Sequence, residues 1–346
     1  GAPHPPPETK WAASLSGGAV AAAAVAGASP AGGAPPLPCL AGCAAVAEKG
    51  ALALVDSPQL CNEVVAKLLS SSPDKDAILD WILKDVRELS LAQCSCRVVQ
   101  KLLEVVGGQG RDKLAKGLSL WTVDLYESPH GNHVLTKLIE VMPSSSLTCV
   151  IEQIRLKGYL TVARHRFGCR VLERLIEHCT EREMSCLNDS FVASAEELCR
   201  HQYGNFVIQH LLEHGAAFRG AGVIKRLLPT ISQLAMHRTA SHVVQRALTY
   251  ASDEGQRAIV AGLFKAESPH SLLEVAASRY GSYVTEELLS LRCSGAGDLI
   301  EEARQRLALA EPPQLASAFF GRVAERFGLA LPTAAPQPTP SDDEDD

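Results

Sequence analysis

A short motif recurs seven times at nearly constant spacing, and a chain built this way stacks like units on one another rather than wrapping them around a single core. The copies begin at Cys61-Asn62-Glu63, Ser95-Cys96-Arg97, Gly131-Asn132-His133, Gly168-Cys169-Arg170, Gly204-Asn205-Phe206, Ala240-Ser241-His242 and Gly281-Ser282-Tyr283. Their second residues lie 34, 36, 37, 36, 36 and 41 residues apart. Each continues with apolar pairs, as in Val98-Val99 and Leu102-Leu103, so apolar residues fall at i, i+1, i+4 and i+5, one stripe of an α-helix. Upstream runs such as Ala77-Ile78-Leu79-Trp81-Ile82-Leu83 carry a second helical pattern, and Val223-Ile224-Leu227-Leu228 ends at Pro229. The unit is therefore two or three short helices. A small residue opens each motif, as close packing at a helix start requires.

Periodicity alone fits a protein-binding scaffold, but the columns point elsewhere. The third residue is Arg97, His133, Arg170, Phe206, His242 or Tyr283, with Glu63 as the exception. A core would not exchange Arg for Phe, and a solvated face would not select Phe and Tyr. The shared property is a flat π-face, which stacks on nucleic-acid bases. The second and sixth residues of each six-residue motif start are i and i+4 on the helix and project side by side. These pairs are Cys96/Gln100, Asn132/Thr136, Cys169/Glu173, Asn205/Gln209, Ser241/Gln245 and Ser282/Glu286, after a first copy, Asn62/Ala66, that lacks both the planar and the polar member. An Asn/Gln pair donates and accepts, as a uracil edge needs. An ionised Glu only accepts, which suits the two adjacent N–H donors of guanine, and a small Cys or Ser beside Gln leaves room for adenine. The next column is basic, Lys67, Lys101, Lys137, Arg174, His210 and Arg246, with Glu287 breaking it; it is placed for sugar-phosphate contacts.

Composition looks unfavourable to a nucleic-acid partner until it is localised. The 346-residue chain carries a formal charge of −6, but its five acids at 342–346 form a terminal run, and the rest is close to neutral. Residues 1–38 are low-complexity, rich in Pro, Ala and Gly, and are expected to be disordered; 331–346 form an acidic tail of the same kind. The apolar stretch Ala19–Ala28 is mostly Ala with a weakly basic flank, a poor signal peptide, and no run reaches the eighteen or so apolar residues of a membrane span. Eleven scattered cysteines include Cys39-x-x-x-Cys43 and Cys94-x-Cys96, neither answered by a second pair at zinc spacing, so reduced thiols and no bound metal are expected.

Between about residues 40 and 330 the sequence resembles the Pumilio, or PUF, family of RNA-binding repeat proteins, most fully at Tyr203-Gly204-Asn205-Phe206-Val207-Ile208-Gln209 and Tyr280-Gly281-Ser282-Tyr283-Val284-Thr285-Glu286. The resemblance implies an all-α, right-handed solenoid, a crescent reading one base of single-stranded RNA per repeat on its concave face. It also identifies the long spacing around Ser268-Pro269-His270 as a linker before the last repeat, and Phe319-Phe320-Gly321-Arg322-Val323 as a C-terminal capping pseudo-repeat. The domain is expected over 39–330, with seven recognisable repeats. The family's eighth repeat would be missing or degenerate within 11–50, and the copy at Asn62 would cap rather than read.

With the family's antiparallel register, the pairs from Ser282/Glu286 back to Cys96/Gln100 imply 5′-GAUGUA-3′; Thr136 is a weaker uracil reader than an amide. Arg97, His133, Arg170, Phe206, His242 and Tyr283 would stack, and Lys101, Lys137, Arg174, His210 and Arg246 would meet the backbone. The implied function is post-transcriptional regulation of messenger RNA through 3′ untranslated regions. Such a protein would be a cytoplasmic monomer that recruits proteins on its convex face, with no membrane contact and no cofactor. A relative binding RNA without sequence preference in ribosome biogenesis, nuclear or nucleolar, is the alternative, and an armadillo- or HEAT-type scaffold a more distant one. No nucleophile elbow, Walker loop or His-Glu-x-x-His occurs, so an enzyme is not expected. His130 and His270 each follow Ser-Pro and read as turn or capping residues.

Overall fold

The computed structural model describes residues 49–70, 75–265 and 270–330. The segment 1–38, the tail 331–346, Ser268-Pro269 of the linker, Cys39 and Cys43, and almost all of the stretch holding a degenerate first repeat lie outside them. Among the described residues every regular element is helical, and none is long and apolar enough to cross a membrane.

A full repeat has three helices, longer than the two-helix minimum read from the sequence. The fifth runs Glu181–Ala193, Ala195–Arg200 and Gly204–His214. The third helix of each repeat carries the motif: α1 (Pro58–Leu69), α2 (Cys96–Val105), α3 (Gly131–Val141), α4 (Gly168–His178), α5 (Gly204–His214), α6 (Ala240–Tyr250) and α7 (Gly281–Glu287), followed by α8 (Ala318–Arg326) in the pseudo-repeat. Consecutive motif helices pack side by side from α1 to α8, and the first helices of successive repeats do the same along another row. This is an α-solenoid: each repeat buries its apolar face only against its neighbours. The stripe read from the sequence is the core, since Val98, Val99, Leu102 and Leu103 in α2 are fully buried, as are Val207, Ile208 and Leu211 in α5. Each such side chain contributes roughly 1.5–3 kcal/mol.

The small residue opening each motif has a steric cause. The motif helix starts directly over the end of the short helix before it, so a Cβ on Gly281 would lie 2.3 Å from the Val275 carbonyl oxygen, and one on Gly168 would lie 2.5 Å from that of Val162.

The turn between these two helices is held by a column that the sequence reading passed over. Ser128 Oγ accepts from the backbone N–H of His130 (3.1 Å) and Gly131 (3.0 Å), and His201 Nδ1 accepts from Tyr203 (3.1 Å) and Gly204 (3.2 Å). His165, His237 and Ser278 occupy the same place. Histidine and serine interchange here because each offers one acceptor at the right reach. Three residues of separation and one common feature, an acceptor atom, make a faint signal. His130 itself is a turn residue, as expected.

An accepting Nδ1 must be unprotonated, and burial, followed by repulsion from Arg164, holds the His201 imidazole below its ordinary value. A histidine with a lowered folded value stabilises the fold above its unfolded pKa and loses that contribution as the pH falls. His201→Ala is therefore expected to cost about 1 kcal/mol at pH 7.5, the size of a lost cap, and measurably less at pH 5, whereas His201→Ser, whose acceptor does not titrate, should match wild type at pH 7.5 and exceed it at pH 5. Urea titrations of the three chains at the two pH values check this; equal costs for His201→Ala at both would refute the capping role.

Candidate nucleic-acid interface

The motif helices present their first turns in one row, and the three columns separate by depth. Second-column side chains are sunk: Cys96, Asn132, Cys169, Asn205, Ser241 and Ser282 are all buried. The third column stands out from the surface, with Arg97, His133, His242 and Tyr283 exposed and Arg170 and Phe206 half-exposed. The last member of each pair, Gln100, Thr136, Gln209, Gln245 and Glu286, is half-exposed, and Glu173 is buried. The row thus consists of flat groups rising between shallow polar floors.

The floors are wired locally. Asn205 Nδ2 donates to the His201 carbonyl oxygen at 2.8 Å, and its Oδ1 accepts from Gln209 Nε2 at 2.9 Å, so this pair is assembled as the helical spacing predicts. Asn132 Nδ2 makes the same bond to Ser128 (2.8 Å), but its buried Oδ1 has no partner, because Thr136 donates instead to the His133 carbonyl oxygen at 3.1 Å. A buried acceptor without a donor costs about 1–3 kcal/mol, and an N–H from a ligand would relieve it. Gln100 and Gln245 each bond at 3.2 Å to the backbone oxygen of Cys96 and Ser241. Cys96 and Cys169 turn their thiols to Gln93 and Arg166 carbonyls, small uncharged floors rather than metal ligands.

Two electrostatic features stand out. Burial raises the Glu173 carboxyl above its ordinary value, against the opposing pull of His210 and Arg170. Partial desolvation at the bases of the otherwise exposed rings lowers His133, with Arg170 of the next repeat adding to the effect, and lowers His242.

The basic column is present but differs from the phosphate stripe read in the sequence. Lys101, Lys137, Arg174, His210 and Arg246 are interleaved with an acidic column three residues further on. Lys101 lies 2.5 Å from Glu104, and Lys137 lies 3.2 Å from Glu104 and 2.9 Å from Glu140. Arg174 pairs with Glu140 at 3.4 Å and with Glu177, His210 lies 3.0 Å from Glu177, and Arg246 lies 3.3 Å from Glu213. The result is a ladder of alternating basic and acidic side chains that ties adjacent repeats. Hydrogen bonding to Lys101 holds the Glu104 carboxyl below its ordinary value. Each acid stands at i+3 from a base, a spacing already present in the sequence. Glu177, His210 and His214 also bring their ligand atoms within 4.8 Å of one another, the one such cluster among the described residues, and the first two already belong to the ladder.

Two terminal features depart from the column pattern. Helix α1 begins earlier, at Pro58 with Ser57 as its cap, so Asn62 and Glu63 are both exposed and no sunken floor forms there. At the other end Arg322 of α8 reaches into the seventh copy, with Nε 2.6 Å from Glu286 Oε1 and Nη2 2.8 Å from Ser282 Oγ.

The Pumilio-family RNA binding repeat matches residues 85–119, 159–187, 195–217 and 231–263, in register with the second, fourth, fifth and sixth motif helices. The chain carries Pumilio-family repeats. Among its relatives, the "Putative pumilio homolog 8, chloroplastic" of Arabidopsis thaliana is 27% identical over 123 residues, 35% of this chain and 24% of that protein. The "Suppressor protein MPT5" of Saccharomyces cerevisiae is 28% identical over 133 residues, 36% of this chain and 16% of the other. The aligned segments thus cover a quarter or less of these relatives. Among solved structures, PUF-8 in complex with PBE-RNA superposes with a TM-score of 0.72 at 21% identity, covering 80% of each chain. The Puf3 RNA binding domain bound to a Cox17 RNA 3′ UTR site has a TM-score of 0.67 at 21% identity, over 77% of this chain and 80% of that one. The Pumilio solenoid is therefore the fold of this chain.

Proposed function

We propose that this Pumilio-repeat protein reads single-stranded RNA base by base, for post-transcriptional regulation of messenger RNA, and performs no chemistry of its own. The observation that carries the reading is the alternation of exposed flat groups with sunken polar pairs along six consecutive motif helices. Stacking contributes about 1–3 kcal/mol per base, and the floors supply edge recognition. The six pairs, taken in the antiparallel register of the family, imply 5′-GAUGUA-3′, with Cys169/Glu173 on the central guanine, Asn205/Gln209 and Asn132/Thr136 on the flanking uracils, and Ser241/Gln245 and Cys96/Gln100 on adenines.

The ion-pair ladder favours this over binding without sequence preference. Binding of that kind rests on unpaired cations that release counterions from phosphates, and here the basic column already faces Glu104, Glu140, Glu177 and Glu213. Recruitment of proteins on the convex face and a cytoplasmic site of action accompany the proposal. Selection from a random single-stranded RNA pool tests it: recovery of a U-G-U-A core is expected, with affinity falling only weakly between 50 and 200 mM salt. Bound pools without a shared core, or a steep salt dependence, would instead support the non-specific reading.

A further inference from the structure

The seventh reading site is filled by the chain itself. Arg322 follows Gly321 in α8, so it holds the column that carries Cys, Asn or Ser in α2 to α7. From there it spans back to the previous helix. Its Nε bonds Glu286 Oε1 at 2.6 Å, its Nη2 bonds Ser282 Oγ at 2.8 Å, and its Cζ lies 4.3 Å from the centroid of the Tyr283 ring. These three side chains are the whole trio assigned above to one base.

The other trios differ. Asn205 and Gln209 bond each other, and Gln100 and Gln245 turn to their own helix backbone. Only at Ser282, Tyr283 and Glu286, among the described residues, does one guanidinium meet all three members. The contact reproduces part of what a guanine would offer there: one N–H donor, Nε–H, toward an acceptor-only carboxylate, a second N–H, on Nη2, toward the hydroxyl, and a flat group over the ring.

We propose that Arg322 is an intramolecular stand-in for the base at the seventh repeat, so that Arg322, rather than the Ser282/Glu286 pair alone, sets how strongly this position discriminates. The inference rests on the base-reading function above and deepens it. A tethered competitor acts at an effective concentration of millimolar order, so a single base contact at the 5′ end of the site wins only part of its intrinsic preference. The folded chain then reads a shorter core than its count of intact pairs suggests, and any partner drawing α8 away would lengthen it.

The experiment uses the full chain, its Arg322→Ala and Arg322→Gln variants, and short RNAs of the form N-AUGUA in which the first base is varied. Wild type is expected to differ less than threefold among the four bases. Both variants should prefer guanine at least tenfold and bind G-AUGUA about tenfold more tightly than wild type does. A wild type that already prefers guanine tenfold, or variants that weaken binding to every RNA, would overturn the proposal. Varying the central guanine in the same series separates the two levels, because indifference there implicates base reading as a whole. An RNA-free measurement closes the remaining gap: the Arg322 Nε–H NMR signal should be protected from solvent exchange in wild type and lose that protection in Glu286→Gln. Exchange as fast as that of exposed arginines in the free chain would refute the contact whatever the RNA data.

Discussion

Gly168→Val is expected to destabilise the chain by about 3 kcal/mol, at the upper end of overpacking in a close-packed interior. A Cβ at this position would sit 2.5 Å from the Val162 carbonyl oxygen, 2.9 Å from Val162 Cγ1 and 3.1 Å from His165 Cβ, and two of these three atoms belong to residues that cannot swing away without shifting the short helix. The same movement would pull the Gly168 N–H from His165 Nδ1, now 3.1 Å away. Gly168→Ala places the same Cβ there but adds no γ-methyls, and the sixth repeat accommodates Ala240 at this place, so it should cost less, about 1–2 kcal/mol. Circular dichroism across a urea titration measures both. A valine variant within 0.5 kcal/mol of wild type would show that the close approach at helix starts is not a constraint. Because repeats rely on neighbours, the valine variant should also broaden the transition, as the array splits around the fourth repeat.

Glu173→Gln is expected to lower the preference for guanine at one base tenfold to a hundredfold while leaving the other positions of the site unchanged. A charged acceptor contributes about 1.5–3 kcal/mol to such a bond, and an amide turned toward guanine places one donor against a donor. The pH dependence follows from burial, which raises this carboxyl, with His210 and Arg170 opposing. Since the folded value lies above the unfolded one, the ionised group weakens the fold at neutral pH, and that penalty is relieved as the pH falls through the raised value. Base reading moves the opposite way, because the protonated carboxyl presents a donor. Guanine preference in wild type should therefore weaken between pH 7.5 and pH 5, and in Glu173→Gln it should be flat. Fluorescence anisotropy with RNAs varied at the central guanine reads both effects. A uniform loss across all sequences would refute the assignment of one pair to one base.

What the chain disclosed before folding is everything that depends on neighbours within one helix. The period of about 36 residues, the buried stripe of Val98, Val99, Leu102 and Leu103, and the i, i+4 pairing realised between Asn205 and Gln209 follow from 3.6 residues per turn alone. The interchange of His201 and Ser128 in the turn was legible in principle, but an acceptor shared by two unlike residues leaves little trace in a pattern of hydrophobicity and charge. The contacts between repeats required the stacking itself. Lys137 meets Glu104, and Arg322 reaches Glu286 across 36 residues and Ser282 across 40, because solenoid packing sets equivalent columns beside one another at the repeat distance. Column composition shows which side chains recur; only the lateral offset between adjacent helices decides that Lys137, Arg174, His210 and Arg246 meet acids of the preceding repeat and that one reading site holds an arginine of its own.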